Sequence, residues 1–170
     1  KHRGRARICE FQPEMQEAVV SRLMLEGELR LALKFGELRA YYQPKVGVDS
    51  QKICGAEALV RWEHPERGTI MPDEFIPAAE ESGLIAAMGE VVFDTVLTQL
   101  ATWRTAGLEP PPVAINLSAS QFNQPELAGQ LAKKLREHDI PGRLLELEIT
   151  ETTLMENPEQ VRMNMLALRQ

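Results

Sequence analysis

Three polar side chains stand late in apolar, strand-like runs, and their types suit a hard cation. Glu57 lies in Gly55-Ala56-Glu57-Ala58-Leu59-Val60-Arg61-Trp62. Asn116 interrupts Val113-Ala114-Ile115-Asn116-Leu117-Ser118. Glu148 lies in Leu145-Glu146-Leu147-Glu148-Ile149-Thr150-Glu151. Side chains alternate across a strand, so Glu146, Glu148 and Thr150 share one face and Leu145, Leu147 and Ile149 the other. A carboxylate in a sheet covered on both faces needs a partner. A hard divalent cation is one such partner, because it takes oxygen from carboxylates and side-chain amides. The same residues leave plainer readings open. Leu/Glu alternation also describes a half-exposed strand, an Asn at a strand end also forms turns, and Glu57 beside Arg61 also reads as an ion pair. His2, His64 and His138 have no ligand spacing. No Ser-His-Asp or Cys-His arrangement can be read, so nucleophilic catalysis has no support.

The elements that must position these residues can be read from periodicity. Residues 6–11 are strand-like and Pro13 ends them. Residues 14–39 are predicted helical, with Val19, Val20, Leu23, Leu25, Leu29 and Leu33 near helical spacing. That helix either packs on the domain after it or links two domains. Tyr41 to Val46 and Ile53 to Trp62 read as a hairpin, with Pro44 marking an edge or a bulge. Pro72 opens a short helix that stops at Gly83. A longer helix comes next, with Ile85, Met88, Val92, Val96, Leu100 and Trp103 on one face and Gly107 as its stop. Val113–Ser118 is a third strand. Pro125 is read as a first-turn proline before Leu127, Leu131 and Leu135. Leu144–Thr150 is a fourth strand. Asn157-Pro158 then starts a helix with Val161, Met165 and Leu168 as its stripe. Strands alternating with helices imply βαβ units and a parallel sheet. An open doubly wound sheet and a (β/α)8 barrel both satisfy this pattern. No Gly-rich nucleotide loop follows any strand, which lowers the first.

Composition narrows the function classes. The chain has 170 residues, enough for one cored domain, with 44% hydrophobic and 26% charged residues. A net charge of -6 argues against a broad electrostatic grip on a nucleic-acid polymer. Cys9 and Cys54 are isolated thiols, which fits a reducing cytosol and a cytoplasmic location. No apolar stretch approaches the roughly 20 residues of a membrane span, so no membrane contact is expected from this segment.

The run Glu57-Ala58-Leu59, in its extended form EALVRWEHP, is similar to the defining motif of EAL domains. The resemblance continues through YYQPKV (41–46), PDEFIPAAEESGLI (72–85), INLSASQF (115–122) and LELEITE (145–151). Five blocks in family order make a chance match improbable. The resemblance covers residues 38–170, and residues 1–15 resemble the tail of a GGDEF domain. Residues 16–37 would then be a helical linker.

The resemblance implies an α/β fold, a TIM-like (β/α)8 barrel of which about the first half is present. It implies hydrolysis of cyclic di-GMP to linear pGpG in bacterial signalling, with Mg2+ or Mn2+ as one or two ions. Glu57, Asn116 and Glu148 match family metal ligands. Glu151 matches a glutamate that positions a loop over the site. Gln43, Leu59 and Arg61 match positions that contact the dinucleotide. The partners implied are cyclic di-GMP and an upstream GGDEF or sensor domain in the same protein, with a homodimer as a further expectation. The family's later motifs do not occur in these 170 residues: an aspartate pair, a lysine that assists the attacking water, and a further glutamate. A full barrel needs about 250 residues, so the segment alone is expected to be inactive. Two other readings accompany the enzyme: an EAL domain that senses cyclic di-GMP without cleaving it, and a ligand-free half-barrel used for protein interaction. Mg2+ demands tight octahedral geometry and Ca2+ a longer, looser shell. Mg2+ should therefore support cyclic-di-GMP hydrolysis by the natural full-length protein and Ca2+ should inhibit it. Equal rates in the two ions would contradict a tight site.

Overall fold

The computed structural model describes residues 13–169. The strand-like reading of residues 6–11 and most of the 1–15 tail lie outside them. The chain opens with helix α1 (Pro13–Phe35), followed by the strands β1 (Leu38–Val46), β2 (Ile53–His64) and the short β3 (Gly68–Ile70). Helices α2 (Pro72–Ser82) and α3 (Leu84–Thr105) lead to β4 (Val113–Leu117). Helices α4 (Ala119–Phe122) and α5 (Leu127–Glu137) then lead to β5 (Leu145–Ile149). Two further helices, α6 (Glu151–Glu156) and α7 (Pro158–Leu168), complete the described chain.

The sheet runs β1-β2-β4-β5, with β3 paired to β2. β1 and β2 are antiparallel, as the hairpin reading requires, and Pro44 sits on an edge strand one residue before a register shift at Lys45/Val46. β2–β4 and β4–β5 are parallel, and a helical layer lies in each crossover. One face of the sheet is apolar. Ala56, Ala58, Val113, Ile115 and Leu117 are buried there against Phe93, Val96, Leu97 and Leu100 of α3 and Leu127 and Leu131 of α5. Burying each such large side chain contributes about 1.5–3 kcal/mol, so this face holds the strands in place. A second cluster joins Leu29 and Ala32 of α1 to Trp62, Ile70, Phe75 and Met88. The indole N–H of Trp62 donates to Glu37 Oε2 at 2.9 Å, which satisfies the polar atom of a fully buried ring.

α3 is long and apolar enough to cross a membrane by length and composition, contrary to the sequence reading. Six of its apolar residues, Ile85, Met88, Phe93, Val96, Leu97 and Leu100, are buried in the core. On α1, Val20 and Leu23 are exposed, and the buried face runs through Leu29 and Ala32 with Leu25 and Leu33 packed beside it. On α7, Val161 and Asn164 are buried and Met165 is exposed, because Asn164 Nδ2 donates to the carbonyls of Phe122 and Gln124 at 2.5 and 2.9 Å. Pro125 precedes α5 rather than opening it. It sits second in a turn closed by Leu127 N–H on Gln124 O at 3.2 Å, a place that suits its fixed φ. The stops at Gly83 and Gly107 are real: both adopt positive φ (75° and 78°), which a side chain disfavours. Leu108 N–H returns to Trp103 O at 3.0 Å, closing α3 in a Schellman turn.

Tyr42, on the apolar face of β1, stacks edge-on against Trp103 with ring centroids 5.2 Å apart. Its hydroxyl is buried without a hydrogen-bond partner among the described residues, and burial pushes its pKa up to about 12. Up to pH ~10 the phenol is neutral in folded and unfolded chains alike. Above that the unfolded chain ionises and the folded one does not until pH passes about 12, so stability falls across this window. Tyr42→Phe should flatten that part of the stability profile, measured by denaturant unfolding between neutral and strongly alkaline pH. Identical profiles for the two proteins would show that the phenol is not held neutral by the fold.

Candidate active site

The face of the sheet opposite the helices carries the polar residues. Register sets them in rows. Gln43 of β1 is opposite Glu57 of β2, Glu57 is level with Ala114 of β4, and Ala114 is level with Glu146 of β5. One step along, Asn116 is level with Glu148, and Tyr41 is opposite Leu59. Arg61 faces Arg39 at the next position. Period-two alternation thus brings Gln43, Glu57, Leu59, Arg61, Asn116 and Glu148 onto one surface from four strands.

Contacts within that surface are specific. Asn116 Nδ2 donates to Glu57 Oε1 at 2.7 Å. The amide nitrogen is thereby occupied, and Oδ1 is left as the oxygen available to a ligand. Lys45 Nζ donates to Glu148 Oε1 and lies 3.8 Å from Glu146 Oε2. The hydrogen bond to Glu148 pushes the Lys45 amine above its usual range, against the opposing effect of desolvation. Glu57 does not pair with Arg61 as the plainer reading had it: Arg61 Nη1 donates to the Val60 carbonyl at 3.0 Å. Glu151 is the first residue of α6 and is exposed. It comes directly after the strand that carries Glu148.

Two short capped helices fix the strand ends. Ser118 lies two residues after Asn116 and caps α4, in a reciprocal arrangement with Gln121. Thr150 lies two residues after Glu148 and caps α6, accepting from Thr153 N–H at 3.4 Å. Gln121 is buried and reaches further, donating from Nε2 to Ile85 O of α3 at 3.2 Å. A cavity of about 450 Å3 opens beside these caps, with Leu59, Asn116, Ser118 and Thr150 in its wall and Met88 and Phe93 behind. Hydrophobic periodicity reveals neither α4 nor α6, nor the roles of Ser118 and Gln121. The Ser-x-x-Gln spacing is a capping-box pattern that does carry that signal. Lys45 also escapes the sequence reading, although it shares a face with Gln43 by simple alternation.

The donor set suits a hard cation. It offers two carboxylates and an amide oxygen on three adjacent strands. Among the described residues no three His, Cys, Asp or Glu side chains gather as a metal cage. Beyond Glu57, Asn116 and Glu148, the remaining positions around an ion would fall to water or a phosphate oxygen, as Mg2+ commonly arranges.

The EAL domain family matches residues 26–170 of the chain, all five strands included. The chain belongs to the EAL domain family. It is 38% identical over 159 residues to the bifunctional diguanylate cyclase/cyclic di-GMP phosphodiesterase MucR of Pseudomonas aeruginosa, covering 94% of this chain and 23% of that protein. It is 41% identical to the cyclic di-GMP phosphodiesterase PdeR of Escherichia coli, again over 94% of this chain and 24% of that protein. The chain thus spans about a quarter of the length of these curated relatives. A solved MucR phosphodiesterase in complex with c-di-GMP superposes with a TM-score of 0.81 at 38% identity, covering 86% of this chain and 59% of that one. EAL domains are TIM barrels, and the sheet seen here is part of one, as the sequence implied. In that fold the C-terminal strand ends carry the chemistry, and Asn116 and Glu148 stand there.

Gly89 of α3 is required by this arrangement. A Cβ there would fall 1.8 Å from Gln121 Nε2. Gly89→Ala should displace Gln121 from Ile85 O and leave buried amide groups unpaired, a loss of about 1–3 kcal/mol that exceeds the helix-propensity gain. Gly27→Ala in α1 meets nothing within 4 Å. It should stabilise by about 0.5–1 kcal/mol. Chemical denaturation of both variants checks the opposite signs.

Proposed function

We propose that this chain forms part of the active site of a cyclic-di-GMP phosphodiesterase that yields linear pGpG. The observation that carries the reading is the convergence of Glu57, Asn116 and Glu148 from three adjacent strands onto one polar surface. The names of the MucR and PdeR relatives support the substrate and the reaction. In this reading Glu57, Asn116 and Glu148 hold Mg2+ or Mn2+ through oxygen. Bound there, the metal supplies charge neutralisation at the phosphodiester and lowers the pKa of a coordinated water.

The chain's own residues orient the substrate. Arg61 offers a guanidinium that matches a phosphate with two parallel hydrogen bonds. Its side chain is free of Glu57, so the ion pair that would have neutralised it does not form. Gln43, directly opposite Glu57, presents an exposed amide to the dinucleotide. Leu59 gives an apolar contact between them. Glu151 acts as a positioning residue on the segment after Glu148. An upstream GGDEF or sensor domain in the same protein completes this reading, supported by the bifunctional name of the MucR relative. A receptor that binds without cleaving would not need an intact oxygen-donor set, and here all three donors are present.

The decisive test is cyclic-di-GMP hydrolysis by the natural full-length protein with Mg2+. Glu57→Ala should lower turnover at least about 100-fold while circular dichroism stays unchanged. Undiminished turnover would remove Glu57 from the chemistry.

A further inference from the structure

Lys45 belongs to no part of the mechanism above, yet its ammonium lies inside the carboxylate cluster. It starts from β1, at the far side of the sheet from β5. β1 and β5 are separated by two strands at about 4.8 Å per step. The contact with Glu148 therefore forms because the sheet curls toward this face. Gly55 lies directly opposite Lys45, and the Lys45 stem runs across it: a Cβ there would meet Lys45 Cδ at 3.4 Å, an ordinary van der Waals contact. The amine then meets Glu148 by a hydrogen bond and Glu146 at 3.8 Å, and it feels the charge of Glu57. Glu57 itself is met by the Asn116 amide. The three carboxylates of this surface are thus stabilised by one amide and one ammonium.

We propose that Lys45 is a tethered counter-cation that competes with the metal for Glu148. Its ammonium takes Glu148 Oε1, an oxygen that a divalent ion at this site would also need. It keeps three like charges together when no metal is bound, and it weakens metal affinity because the ion must displace it or approach a second positive charge. The inference rests on the metal reading given under Proposed function and adds what sets the strength of binding.

The test is calorimetric titration of Mn2+ alone, without nucleotide, into the natural full-length protein at neutral pH and fixed ionic strength. Lys45→Met should tighten Mn2+ binding by at least about fivefold. Lys45→Arg keeps the charge and should stay near wild type. Lys52→Met makes the same change in net charge on the exposed hairpin turn and should also stay near wild type, because salt screens distant surface charges. Without metal, Lys45→Met should melt below wild type, and saturating Mn2+ should close that gap. Unchanged or weaker Mn2+ affinity in Lys45→Met would overturn the proposal, as would equal tightening in Lys52→Met. A wild-type protein that binds Mn2+ but fails either comparison sinks only the role of Lys45. A wild-type protein that binds none sinks the metal reading with it.

Discussion

Carboxylates of like charge that share one face of a sheet repel, and holding them together on that surface is the constraint that organises this molecule. Glu57, Glu146 and Glu148 sit on β2 and β5, with β4 between them. Two strand steps of about 4.8 Å separate β2 from β5, close enough for the like charges to feel one another on a partly buried surface. Two contacts make the arrangement tolerable. The Asn116 amide donates to Glu57, and the Lys45 ammonium serves Glu148 and Glu146. Both partners come from different strands than the groups they serve, so the polar surface exists only once the sheet has its register.

The opposite face supplies the free energy that holds this register. Val113, Ile115 and Leu117 of the central strand are at most 4% exposed, against α3 and α5. On β5 the corresponding Leu145, Leu147 and Ile149 are only partly buried. Burial thus falls off from β4 to β5. A one-residue slip of β5 would exchange its two faces, placing Glu146 and Glu148 against the helices and Leu147 against the polar surface. The apolar layer thereby enforces the aim of the carboxylates without touching them.

Strand ends are held by a different device. Ser118 and Thr150 each stand two residues beyond a candidate ligand and each cap a short helix. The hydroxyl stops the strand, turns the backbone and leaves Asn116 or Glu148 at the rim. Gln121 ties the first of these turns to α3 through Ile85 O, passing over Gly89. The two caps thereby fix where Asn116 and Glu148 stand relative to the helices that follow them.

Much of this is legible in the chain itself. Stops at Gly83 and Gly107, the Asn157-Pro158 start, the hairpin and the two-faced Leu/Glu strand depend on neighbours a few residues apart, and local rules reach that far. Ordered motifs likewise point to the family. Which polar groups pair is decided only in three dimensions. Asn116 rather than Arg61 meets Glu57, from 59 residues away, and Lys45 meets Glu148 from 103 residues away. α1 and α7 show the same division: their helical periodicity is readable, but the face each buries depends on the elements packed against it, including an Asn164 that no hydropathy pattern selects. Sequence spacing encodes dihedral preference and alternation over short stretches. Register and sheet curvature arise from packing between distant segments, and they alone bring these charges together.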